Sequence, residues 1–161
     1  MNNWQKIWDK VDRVDSIILE SLIKSDGFDS GAGSFTLEDW KKYIQVYFKK
    51  LDINSNNTIY NTGCGSGAFV YLLYLQKYSV GGVDYAMSQI KLAKTIMPSG
   101  DFTCDEAINM STSKSYDFVV SHSVFHYFKD LDYAKGVVKK MIQKSNKKIG
   151  IFDINDKSKE D

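Results

Sequence analysis

The sequence predicts an α/β fold: a doubly wound, mostly parallel sheet in the order 3-2-1-4-5, with a helical cap at its N-terminus. Three observations carry this. From Thr58 onward, strand-length apolar runs alternate with helix-length amphipathic runs, the pattern of parallel strands joined by right-handed crossovers. A glycine loop, Gly63-Cys64-Gly65-Ser66-Gly67, follows the first of these strands and opens a helix. Before residue 53 the pattern is helical only, which divides the chain into a cap over 1–52 and a sheet domain over 53–161.

In the cap, Trp4, Ile7, Trp8, Val11, Val14, Ile18 and Leu22 form a stripe at helical spacing over residues 3–25, stopped near Gly27. A second helix starts after the N-cap Thr36, with Glu38 and Asp39 in its first turn, where the helix dipole favours acids. The segment between them, Asp26 to Phe35, carries three glycines and two phenylalanines; it is either a connector or a lid over a site. In the sheet domain the expected strands are 58–62, 79–84, 100–104, 116–121 and 147–154. The expected helices are Ala68–Tyr78, Met87–Met97, stopped by the single proline Pro98, and Leu131–Ile142, with Asp130 as N-cap.

Composition fits one globular domain, with 43% hydrophobic and 25% charged residues. The formal net charge is +1 and Arg13 is the sole arginine, so no nucleic-acid partner is expected. No apolar run of membrane-spanning length and no secretory leader is seen, and a cytoplasmic protein without a membrane partner is the expectation. Cys64 and Cys104 show no metal-ligand spacing and read as reduced thiols.

Glycines at 63, 65 and 67 let the backbone turn sharply and approach a ligand, and the N-terminus of the following helix would offer it unpaired N–H groups. Asp84, seventeen residues beyond Gly67, ends a buried strand where a carboxylate can accept from both hydroxyls of a ribose. Gly63, Gly65 and Ala68 also satisfy the dinucleotide pattern G-x-G-x-x-A, so spacing in the loop leaves two cofactor classes open.

Segments downstream separate them. Asn61-Thr62-Gly63-Cys64-Gly65-Ser66-Gly67 resembles the first motif of class I S-adenosylmethionine-dependent methyltransferases, and Gly82-Val83-Asp84-Tyr85 their acidic second motif. Cys104-Asp105-Glu106-Ala107 is similar to the family's adenine-holding segment, and the stretch from Tyr116 through Ser121 and His122 to Tyr127 to its fourth motif. The resemblance covers roughly residues 58 to 128 and implies a Rossmann-like sheet, with S-adenosylmethionine as cofactor and S-adenosylhomocysteine as product. It implies cofactor contacts at Asn61, Gly63, Cys64, Gly65, Gly67, Asp84, Tyr85, Asp105, Glu106 and Ser121. The fourth motif lacks the Pro-Pro signature of amide and adenine methylating members, so a small-molecule oxygen or nitrogen acceptor is expected.

Two features depart from the family. Asn61 stands where an acid helps to hold the cofactor's ammonium end, and losing the charge predicts weaker binding. The sheet of the family continues past the fifth strand, whereas here a polar tail follows; the expectation is a truncated chain, or a minimal one whose open edge is covered in a homo-oligomer. His122 and His126, at i and i+4, are the candidate catalytic bases, as histidine titrates near neutral pH. Asp153 and Asn155 are placed after the fifth strand to contact substrate, and no metal site is expected. The main rival is a catalytically weak or inactive cofactor-binding scaffold, and a nicotinamide-dependent oxidoreductase is the second.

Overall fold

The structure is a computed structural model that describes residues 13–29 and 35–154. Trp4, Ile7, Trp8, Val11 and Asn155 therefore lie outside the described residues. Among the described residues, two cap helices, α1 (Arg13–Ser25) and α2 (Leu37–Leu51), precede β1 (Thr58–Thr62), α3 (Ala68–Leu75), β2 (Ser79–Asp84), α4 (Met87–Ile96) and β3 (Asp101–Cys104). A 3-10 turn (Ala107–Asn109), β4 (Tyr116–His122), a second 3-10 turn (Phe125–Tyr127), α5 (Leu131–Lys144) and β5 (Ser145–Phe152) follow. All five strands are parallel, in the order β3-β2-β1-β4-β5.

Alternation along the strands creates two cores. Ile59, Val80, Phe102, Phe118 and Val120 face one side, where they pack with α3, α4 and both cap helices. Tyr60, Val83, Tyr116 and Val119 face the other, against Val137 and Met141 of α5. The cap is continuous with the first core: Leu19, Leu22, Trp40, Ile44 and Phe48 are fully buried in the same cluster as Phe69, Tyr71 and Leu72 of α3. Burial of side chains this size stabilises by about 1.5–3 kcal/mol each.

Local chemistry sets the ends of the elements that matter for the site. α1 stops in a Schellman arrangement, with Gly27 at φ +80°, its N–H donating to Lys24 O and the Phe28 N–H to Ile23 O. That reversal aims Asp26 and Phe28 at the sheet edge. Thr36 caps α2 by accepting from the Asp39 N–H at 3.2 Å, and Asp130 caps α5 by accepting from the Tyr133 N–H at 2.7 Å. α3 ends at Leu75, earlier than expected, because Lys77 turns left-handed at φ +67° and the chain folds back to β2. β5 begins at Ser145, two residues before its predicted start, directly off the end of α5.

Candidate active site

β1 and β4 are neighbours whose connections run to opposite sides, so a crevice opens at their carboxyl ends. A cavity of about 810 Å³ occupies it, with walls from the cap, the glycine loop, the end of β2 and the segment after β4. Of the residues expected to hold a cofactor, Asn61, Gly63, Cys64, Gly65, Asp84, Tyr85 and Glu106 line this cavity. His122 lines it as well.

The Asp84 carboxylate anchors the loop: Oδ2 accepts from the Gly65 N–H and Oδ1 from the Ala86 N–H, both at 2.9 Å. An ionised carboxylate offers about four acceptor sites, so each oxygen keeps capacity toward the cavity. The Asn61 side chain is 2% exposed, and its Oδ1 is the one buried side-chain polar atom among the described residues without a hydrogen-bond partner. Tyr85 stands at the mouth, 77% exposed. Burial drives the Cys64 thiol well above its ordinary pKa, helped by the Asp84 and Asp26 carboxylates, so it is an uncharged wall group.

The expected donor N–H groups at the start of α3 are not free. The Ser66 N–H donates to Asp26 Oδ1 at 2.6 Å and the Ala68 N–H to Asp26 Oδ2 at 3.2 Å. Asp26, from the cap, thus does the capping that Gly67, with no side chain, does not. Burial raises the Asp26 pKa from 3.8 to about 6; the hydrogen bonds from Ser66 and Ala68 pull the other way, and Asp84 adds repulsion.

Four expected site residues lie elsewhere. Gly67 is buried beneath the loop, its N–H donating to Cys64 O. Ser121 is fully buried and donates to Thr62 O at 3.0 Å, joining β4 to β1 rather than facing the cavity. Asp105 is exposed and accepts from the Glu106 N–H at 2.8 Å and Asn109 Nδ2 at 3.1 Å, holding the first 3-10 turn. His126 is exposed on the second 3-10 turn, 4.0 Å from the Tyr127 ring centre.

The two histidines therefore share no helix face. His122 is the last residue of β4, and Ser123 follows at φ +57°, breaking any helical register. His122 is 4% exposed and hydrogen-bonded through Nε2 to the Tyr43 hydroxyl at 2.8 Å, with Phe69 stacked at 5.1 Å between ring centres. Burial lowers its pKa from 6.5 to about 4, with Asp153 opposing, and keeps the ring neutral. A second recess of about 360 Å³, walled by Phe35, Tyr43 and Asp153, shares Asp26, Phe28, Ser123 and Tyr127 with the first cavity. Tyr43 and Asp26 went unnoticed in the sequence; the one signal was the Asp26–Phe35 segment, whose start does pack on the glycine loop. Among the described residues no helix is long and apolar enough to cross a membrane, and no group of three or more His, Cys, Asp or Glu is placed to hold a metal.

A glycine loop, a strand-end carboxylate and a switch-point cavity define a Rossmann-like cofactor-binding domain. The family model described as methyltransferase domain matches residues 60–146, more than half of the chain, and the chain belongs to that family. It is 40% identical over 77 residues, 47% of the chain, to a protein of Invertebrate iridescent virus 6 named "Putative methyltransferase 235L". Over 110 residues, 64% of the chain, it is 28% identical to the malonyl-[acyl-carrier protein] O-methyltransferase of Acetivibrio thermocellus. The matches span 29% and 38% of those two proteins' own lengths. The solved structure of an S-adenosylmethionine-dependent methyltransferase from Clostridium acetobutylicum shares the fold, with a TM-score of 0.61 at 18% identity over 87% of this chain and 56% of that one.

Proposed function

We propose that this chain binds S-adenosylmethionine in the large cavity and directs its methyl group to the oxygen or nitrogen of a small molecule. The observation that carries the reading is that Asp84, at the end of β2, and Asn61, whose buried Oδ1 has no hydrogen-bond partner, both line the same cavity. They stand as acceptors for a ribose diol and for the donor of an amino-acid end, on either side of a glycine loop that leaves the backbone bare. Tyr85 and Glu106 stand on the adenine side, and Gly63, Cys64 and Gly65 under the amino-acid end. Gly67, Asp105 and Ser121 support this wall from behind or beside it. Family membership and the shared fold support the same cofactor.

When bound, the sulfonium supplies an already activated methyl group, so the residues here have to align, shield and deprotonate rather than attack. Phe28 and Phe69, with ring centres 5.2 and 5.1 Å from that of His122, wall this side of the cavity and would exclude water around the acceptor. Transfer of that methyl group would leave S-adenosylhomocysteine as product and a proton to be removed from the acceptor. His122, rather than the exposed His126, takes the released proton. Burial keeps its imidazole neutral, the state that can accept a proton. The O-methyltransferase among the relatives supports an oxygen acceptor.

A catalytically weak binding module is the second reading, favoured by the neutral Asn61. Thermal denaturation with S-adenosylmethionine, S-adenosylhomocysteine and NAD tests the cofactor. Saturating adenosyl ligand, at a hundred times its Kd, should stabilise by about 2.7 kcal/mol. A shift with NAD alone would overturn the reading.

A further inference from the structure

Among the described residues, the wall beside the glycine loop collects acceptors and no cation. Asn61 Oδ1 is buried there without a partner. Asp26 accepts backbone N–H bonds from Ser66 and Ala68 and is also stabilised by the Ser66 side chain, which leaves about one of its carboxylate acceptor sites unused. It forms no ion pair within 4.0 Å among the described residues. Among the described residues the single Lys or Arg in the cavity wall is Lys129, which lies 5.6 Å over the Tyr133 ring. The approach of Asp26 is also built for: a Cβ on Gly65 would stand 2.5 Å from Asp26 Oδ1, so only glycine admits the carboxylate. A buried acceptor and a carboxylate without a cation, on the wall of one cavity, match a ligand group that is cationic and rich in N–H donors.

We infer that Asp26 and Asn61 form an ammonium subsite, in which the helical cap supplies the negative charge for the amino group at the amino-acid end of the cofactor. The inference rests on the S-adenosylmethionine reading above and extends it: the charge absent from β1 at Asn61 comes from the end of α1. Occupation of the subsite ties the cap to the loop, since the same carboxylate holds the Ser66 and Ala68 N–H groups. Asp84 from β2, which disfavours its ionisation, and the uncharged thiol of Cys64 are the other titratable groups facing Asp26. An arriving ammonium reverses this, so binding near pH 6 expels a proton from Asp26.

The test is a calorimetric titration of the full chain with S-adenosylhomocysteine and with 5′-methylthioadenosine, which keeps the adenosine and thioether but has no amino-acid end. Asp26→Asn should weaken S-adenosylhomocysteine about tenfold, the loss of one charge-assisted contact, and leave 5′-methylthioadenosine within about twofold. Asn61→Leu, which leaves the cap contact intact, should show the same selectivity, and Asn61→Asp added to Asp26→Asn should restore binding. At pH 6 the wild-type chain should release protons on binding S-adenosylhomocysteine, and Asp26→Asn should not. Equal weakening of both ligands by Asp26→Asn would mean that Asp26 only pins the cap, and unchanged or tighter S-adenosylhomocysteine would put the cofactor's carboxylate there; either overturns the inference. A wild-type chain that binds neither ligand would instead sink the cofactor reading itself, and this inference with it.

Discussion

The Tyr43 hydroxyl of α2 and Nε2 of His122 at the end of β4 stand 2.8 Å apart, a hydrogen bond that spans 79 residues of sequence and joins the cap to the switch point of the sheet. Tyr43→Phe leaves the buried imidazole without that partner. The expected cost is about 1–3 kcal/mol in urea denaturation. An unchanged midpoint would show that water replaces the phenol.

Two buried groups on the cavity wall give stability opposite dependences on pH. His122 is held near 4 against 6.5 when unfolded, so between those values the unfolded chain binds the extra proton and stability rises with pH. Asp26 is held near 6 against 3.8, so there the folded chain binds it and stability falls as pH rises. Each offset corresponds to about 3 kcal/mol, and the two nearly cancel between pH 4 and 6. His122→Asn should therefore make the pH profile slope downward relative to wild type over that range, and Asp26→Asn upward. Parallel profiles for all three proteins would contradict the buried, shifted state of both groups.

Gly65 sits at φ +53° against Asp26, so Gly65→Ala meets both a backbone cost and a clash. The backbone term alone is about 1–2 kcal/mol. A lower melting temperature together with lost S-adenosylhomocysteine binding is expected. Retained binding would mean that Asp26 can withdraw from the loop without consequence.

Lys144, at the end of α5, donates to Ser111 O at 2.6 Å and Lys114 O at 2.9 Å and lies 4.2 Å over the Tyr60 ring centre. Burial lowers its pKa. Lys144→Met strands two carbonyls on the face away from the cavity. It should cost about 1–3 kcal/mol in denaturant midpoint and leave ligand affinity unchanged.

The parts of the site written in local sequence were legible, and those made by distant contacts were not. Parallel strands followed from alternation, their order from the doubly wound plan, and Gly63, Gly65 and Asp84 from a loop and a strand end that are contiguous in sequence. Asp26 reaches Ser66 across 40 residues, and nothing near it marks a carboxylate as a cap for another element. The histidine spacing misled because β4 runs through His122 and a left-handed Ser123 then resets the backbone. Ser121 was misplaced for a related reason: its position in the strand turns the hydroxyl onto Thr62 O, inside the sheet.

The most direct test of the central claim is calorimetric titration of the chain with S-adenosylhomocysteine, beside its Asp84→Ala variant. One site of micromolar affinity is expected, lost in the variant while its fold persists. Absence of binding in a cooperatively folding wild-type chain, or equal binding by the variant, would contradict it.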